Sequence, residues 1–344
     1  MTNFRLSIWN LNLLLAGLCL TAAKPASAAS LTAIYTGSAG AVSQVAATFS
    51  TSNPGAQNQY FYTSVINGSG NLEIIGWQDT GSALIRLNTV TVGAASKVAS
   101  TWIYDSNSTN YLGTALVNGS GKLEVILWYV NADGSLTRKG SYVSSQTVTD
   151  VAAAAPRNTD SIFATASRTT GGKLAVNVWC VDTSGDITAC GSVTAGTVSQ
   201  VSVAFDQQDY EFLTAVANSN GDLEVIAWEW LAPSSILREG SATAGSVLQV
   251  SAANFAYQRD ILTAVVTSGT KLEVIEWSVG SSGAVTRLGS KTGEAAEAVA
   301  ICDSVFCRNS LRQSRTEPRI WRRNSGRLLP SLSPRSLAST LRRR

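Results

Sequence analysis

Histidine is missing from all 344 residues. That absence removes the usual general acid–base of neutral-pH catalysis, the Ser-His-Asp and Cys-His nucleophile arrangements, and most zinc sites. Charge is scarce at 14% of the chain, and sulfur is limited to one methionine and five cysteines. No stretch after the N-terminus is apolar enough to cross a bilayer as a helix, which takes about 20 residues. The chemistry that remains is that of carboxylates. Recognition has nine tryptophans and nine tyrosines to draw on.

The two ends differ from the body. Arg5, the apolar stretch Leu11–Ala23 and the small residues Ala26, Ser27 and Ala28 are the three parts of a secretory signal, so residues 1–28 read as a leader. The expected product is secreted, extracellular or periplasmic, with no membrane span. The formal charge of +3 hides a division. Residues 29–302 hold 13 basic and 21 acidic side chains, while residues 303–344 hold 11 arginines against Asp303 and Glu317. An acidic body is repelled by phosphate backbones, so no nucleic-acid partner is expected.

Five segments repeat one pattern. Their cores read NLEIIGW, KLEVILW, KLAVNVW, DLEVIAW and KLEVIEW, ending on Trp77, Trp128, Trp179, Trp228 and Trp277, which are 51, 51, 49 and 49 residues apart. In the second unit the spacing predicts strands at Tyr111–Val117, Lys122–Val130, Ser135–Ser141 and Val148–Ala154. Asn118-Gly-Ser-Gly121 and Asn131-Ala-Asp-Gly134 supply the turns. Its second strand is apolar on both faces, with Leu123, Val125 and Leu127 on one and Ile126, Trp128 and Val130 on the other. A sheet with one wet face would alternate apolar with polar, so these sheets are stacked. The last strand of each unit is rich in small residues (VSQVAATF, VTDVAAAA, VSQVSVAF), as suits a crowded position near an axis.

Over residues 29–306 the repeats resemble the blades of β-propellers in general, without the Gly-His and Trp-Asp signature of WD repeats or the glycine pair of kelch repeats. The resemblance implies an architecture alone: an all-β propeller of four-stranded units of about 50 residues, about six blades, the last incomplete. As in WD-repeat propellers, Leu31–Thr36 would then be an outer strand that completes the last blade. Asp303–Phe306 opens a sixth unit much as Asp160–Phe163 opens the third, but 307–344 is Arg/Ser-rich without alternation. Permitted codons for Cys307–Glu317, read one nucleotide later, can spell a continuation containing Gly-Asn-Leu-Glu. This tail is expected to be frame-shifted or disordered.

The repeated tryptophans, in the middle of doubly buried strands, are expected to be core. Glu73, Glu124, Glu224 and Glu273 recur with Arg86, Arg138, Arg238 and Arg287, and the third unit has Ala175 and Ala189 in their places. That joint loss points to a structural ion pair, placed between blades. Cys180 and Cys190 flank a turn and form a disulfide candidate. No cofactor and no metal site are expected.

The candidate ligand-binding residues lie in the loops that lead from each innermost strand to the next, which break the repeat. They are Tyr60, Trp102, Tyr104, Asp105, Asp160, Asp206, Asp209, Tyr210, Tyr257 and Asp260. Aromatic faces beside amides and acids suit neutral saccharides, whose C–H faces are apolar and whose edges are hydroxyls. The leading expectation is an exported, non-enzymatic, lectin-like binding module, with carbohydrate or a surface protein as its partner. The alternatives are a polysaccharide hydrolase or lyase working through the loop aspartates, and a structural adhesion domain. The sequence does not set an oligomeric state.

Overall fold

The computed structural model describes residues 36–49, 59–104, 110–156, 161–205, 211–254 and 260–301. The leader, the expected strand Leu31–Thr36 except its last residue, and the tail 307–344 lie outside the described residues. Within them the chain is one meander of 16 strands, each antiparallel to the next.

The first blade is β1 (Val42–Phe49), β2 (Gln59–Asn67), β3 (Asn71–Asp79) and the opening stretch of β4 (Leu84–Tyr104). Up to Ala94, β4 pairs with β3; from Ala95 it pairs with β5 (Asn110–Asn118). The outer strand of one blade thus runs straight on as the innermost strand of the next. The same holds for β7 (Leu136–Ala154), β10 (Ile187–Phe205) and β13 (Ser235–Asn254). Between them lie β6 (Lys122–Val130), β8 (Ile162–Thr169), β9 (Lys173–Val181), β11 (Glu211–Asn218) and β12 (Asp222–Leu231). The fifth blade closes with β14 (Asp260–Thr267), β15 (Lys271–Val279) and β16 (Val285–Ala295). The sequence predicts a break at the Ser/Thr-rich stretch before Val148. The structure has none, because Ser and Thr are compatible with an extended chain and no Gly-Pro or Asn-Gly turn interrupts it.

The innermost strands β1, β4, β7, β10 and β13 lie side by side in chain order. Side-chain groups stitch them together. The Gln44 amide bonds both the N–H and the C=O of Val98, and Ser202 Oγ accepts from Ala252 N. Gln249 and Ser251 do the same for Val299 and Ile301, so the chain after β16 is held alongside β13. At the other end of the meander, the face of blade 1 is under-covered: Val42 and Val45 are 39% and 36% exposed, whereas Ala95 and Val98 at the equivalent positions are 7% and 2%.

Each blade packs one face on its neighbour. Tyr62, Ile66, Leu72 and Ile74 of blade 1 meet Val98, Leu112, Ile126 and Trp128 of blade 2. Every repeat tryptophan is buried, and its indole N–H donates to a threonine 14 residues earlier: Thr63, Thr114, Thr165, Thr214 and Thr263, at 2.8–3.0 Å. These residues are core, as expected. The polar edge of each large ring is thereby satisfied inside an apolar layer.

Glycine sets how closely blades approach. A Cβ on Gly140 would stand 2.6 Å from the carbonyl oxygen of Gly185, in the turn of the following blade. Gly140→Ala should therefore cost about 1–3 kcal/mol by overpacking against backbone that cannot yield. Gly93→Ala, with open space around it, is the control that should cost nothing by this route. Urea unfolding of the two variants tests this; equal effects would contradict it.

Candidate functional site

All the innermost strands run the same way, so the loops after Phe49, Tyr104, Pro156, Phe205 and Asn254 leave from one end of the blades. The ligand is expected there from the sequence. Asp105, Asp160, Asp206, Asp209, Tyr210 and Tyr257 lie outside the described residues, and of Tyr104 only the backbone is described. Three of the ten residues remain, and the structure does not bring them together. Tyr60 lies in β2 and donates to the carbonyl of Ala132 in the next blade, at 3.3 Å. Asp260 opens β14, and partial burial pushes its carboxyl above the ordinary value.

Trp102 differs most from the expectation. The strand β4 continues through it, which puts the ring on the blade 1–2 junction, 6% exposed and 6.2 Å from the Tyr62 ring at an interplanar angle of 17°. It is a packing residue, not an open platform. Its neighbour Tyr62 donates to the carbonyl of Gly134 at 2.9 Å, and burial holds that phenol far above its usual pKa. Tyr60 and Tyr62 thus clamp the β6–β7 turn.

A second set of residues recurs in register. Glu73 and Arg86 face each other on neighbouring strands of one blade, with 3.0 Å between Oε1 and Nη2. Glu124–Arg138, Glu224–Arg238 and Glu273–Arg287 repeat this at 3.4, 2.8 and 2.7 Å. The pair is within a blade, not between blades as the sequence argument placed it, because β3 and β4 put both residues on the same face of one hairpin. In three copies a hydroxyl joins: the guanidinium also donates to Thr89, Ser241 or Ser290. Asn67 and Asn118, which cap the adjacent turns, donate to the second oxygen of Glu73 and Glu124 at 3.2 Å. The carboxylate is held on two sides, while each arginine side chain stays 42–45% exposed.

Opposite three of these pairs stands the outer strand of the preceding blade, which offers small aliphatic side chains. Val90 and Val92 pack against the core that holds Trp128, Val193 and Ala195 against that of Trp228, and Ala242 and Ala244 against that of Trp277. Each of these junctions therefore sets a half-exposed guanidinium and its carboxylate beside an apolar strand of the neighbouring blade. The charged side is legible in the sequence, where the joint loss of both residues in the third unit points to a structural pair. The apolar side was visible only as alternation in the outer strand, with nothing to show which neighbour it would meet. Among the described residues no three His, Cys, Asp or Glu side chains form a metal cage, and no helix is long and apolar enough to cross a membrane.

No protein-family model and no curated protein sequence matches this chain. Among solved structures, the SapL1 lectin in complex with α-methyl fucoside superposes with a TM-score of 0.50 at 15% identity, over 75% of this chain and 84% of that one. The fold is a β-propeller. Two structures of Aleuria aurantia lectin match 73% of this chain with TM-scores of 0.49. One, bound to α-methyl-L-fucoside, is 15% identical and 77% covered; the other, described as a six-bladed β-propeller, is 14% identical and 78% covered. At such identities the likeness concerns the fold. What the junctions between blades could bind therefore depends on this chain's own residues.

Proposed function

We propose that the protein is an exported, non-enzymatic carbohydrate-binding module of lectin type, and that its sites are the grooves between blades. The observation that carries this reading is the recurrence of one arginine–glutamate pair in four blades, oriented alike, with the arginine half exposed and the glutamate mostly covered. Adjacent sugar hydroxyls accept from a guanidinium and donate to a carboxylate, and the C–H face of the ring rests on the Val/Ala wall. Each groove is shallow and each contact modest, so useful affinity comes from several grooves engaging one glycan surface. The fold shared with SapL1, whose structure contains a fucoside, supports the reading and makes fucosides the first probes. The loop residues Asp105, Asp160, Asp206, Asp209, Tyr210, Tyr257 and Asp260 remain a second candidate set, expected from the sequence.

The test is glycan-array and fucoside binding by the purified chain and by the variant Arg138→Gln/Arg238→Gln/Arg287→Gln. Losing charge-assisted hydrogen bonds at three grooves should weaken binding at least about 10-fold. Stability should change little, because exposed ion pairs contribute about 0–1 kcal/mol each. A natural chain that binds no glycan, or a triple variant that binds as well as it, would sink the proposal.

A further inference from the structure

One junction breaks the pattern at four positions together. In blade 3 the glutamate and arginine are Ala175 and Ala189, and the latter still stands opposite Trp179 as Arg138 stands opposite Trp128. The isoleucine found at Ile75, Ile126, Ile226 and Ile275 is Asn177. On the facing strand of blade 2, Tyr142 occupies the place held elsewhere by Val90, Val193, Ala242 and Lys291.

These changes compensate one another across the junction. The Tyr142 ring lies 5.3 Å from that of Trp179, tilted by 53°. Trp179 is 1% exposed, against 2% for Trp128 and 1% for Trp228, whose cross-strand neighbours are arginines. The same burial is thus reached with a residue from the other blade. Asn177, 4% exposed, donates to Gln146 Oε1 of blade 2 at 3.3 Å, so the amide buried in place of isoleucine has its partner across the same junction.

We propose that Tyr142 closes the blade 2–3 groove, making it a blind copy of the saccharide site, so that the chain has one site fewer than its junctions would provide. This rests on the function proposed above. A sugar at this junction would meet neither guanidinium nor carboxylate. The phenol, 38% exposed and against Trp179, also puts a bulky ring where valine or alanine stands at the junctions on Trp128, Trp228 and Trp277.

The test is titration calorimetry of the full chain with the methyl glycosides of fucose, mannose and galactose, counting sites per chain for those that saturate. Tyr142→Val/Ala175→Glu/Ala189→Arg should raise the count by one. The converse variant, Val193→Tyr/Glu224→Ala/Arg238→Ala, should lower it by one. It should also keep Trp228 shielded from acrylamide, whereas Glu224→Ala/Arg238→Ala without the tyrosine should increase quenching. If the first variant does not fold, the converse decides. An unchanged count in a folded variant overturns the proposal while leaving saccharide binding in place. If the natural chain binds none of the glycosides, both readings fall together.

Discussion

Trp228→Ala should lower the unfolding free energy by about 3–5 kcal/mol, the largest effect expected of any single substitution in the described residues. The side chain is 1% exposed and packs in the blade 3–4 core with Val176, Val178, Val203 and Phe212. A cavity there cannot collapse easily, because the sheets on both sides are held by their own ladders. Removing the ring also strands Thr214, whose hydroxyl accepts the indole N–H at 2.9 Å. Thr214→Val separates the two contributions: it keeps the ring, leaves its N–H buried without a partner, and should cost about 1–3 kcal/mol. Both are measured by urea unfolding. A cost below about 1 kcal/mol for Trp228→Ala would be incompatible with a packed junction at that position.

The second large effect is expected from the bridge. Cys180 and Cys190 are joined in the structure, with Cα atoms 5.8 Å apart and a sequence separation of 10. Closing a loop of that size removes conformations from the unfolded chain, and losing the closure should cost about 2–3 kcal/mol. Cys190 is the extra residue of a bulge between the partners Ala189 and Gly191, which is how two residues not directly opposite come within reach. Its carbonyl also accepts from Trp230 Nε1 of the next blade at 2.9 Å, so the bridge steadies a contact between blades 3 and 4. Cys180→Ser/Cys190→Ser should melt earlier than the natural chain in oxidising buffer and like it in reducing buffer. Mass spectrometry of non-reduced peptides from exported protein should find the bridge; free thiols at both positions would contradict it.

By itself the sequence determined the hairpins, the repeat and the core, though not that each outer strand runs on into the next blade. A period of two around Leu123–Val130, Asn/Gly turns at fixed offsets and a tryptophan every 49–51 residues are local signals, and local signals decide hairpins. The pairing of Cys180 with Cys190 was legible for the same reason, since a turn lies between them. What the sequence left open depends on which face meets which neighbour. Glu73 and Arg86 recur together whether they pair within a blade or between blades, and only the register of β3 against β4 places them on one hairpin face. Trp102 was indistinguishable from a loop aromatic until β4 carried it to the junction with Tyr62. Ala175 and Ala189 stand together in the third unit, but the ring that covers their junction, Tyr142, is 33 and 47 residues away on another blade. Alternation tells each side chain which side of its own strand it occupies. The distance, shape and charge of whatever stands opposite are set by the stacking of one blade on the next, and in this protein the charged and apolar sides of each junction meet only there.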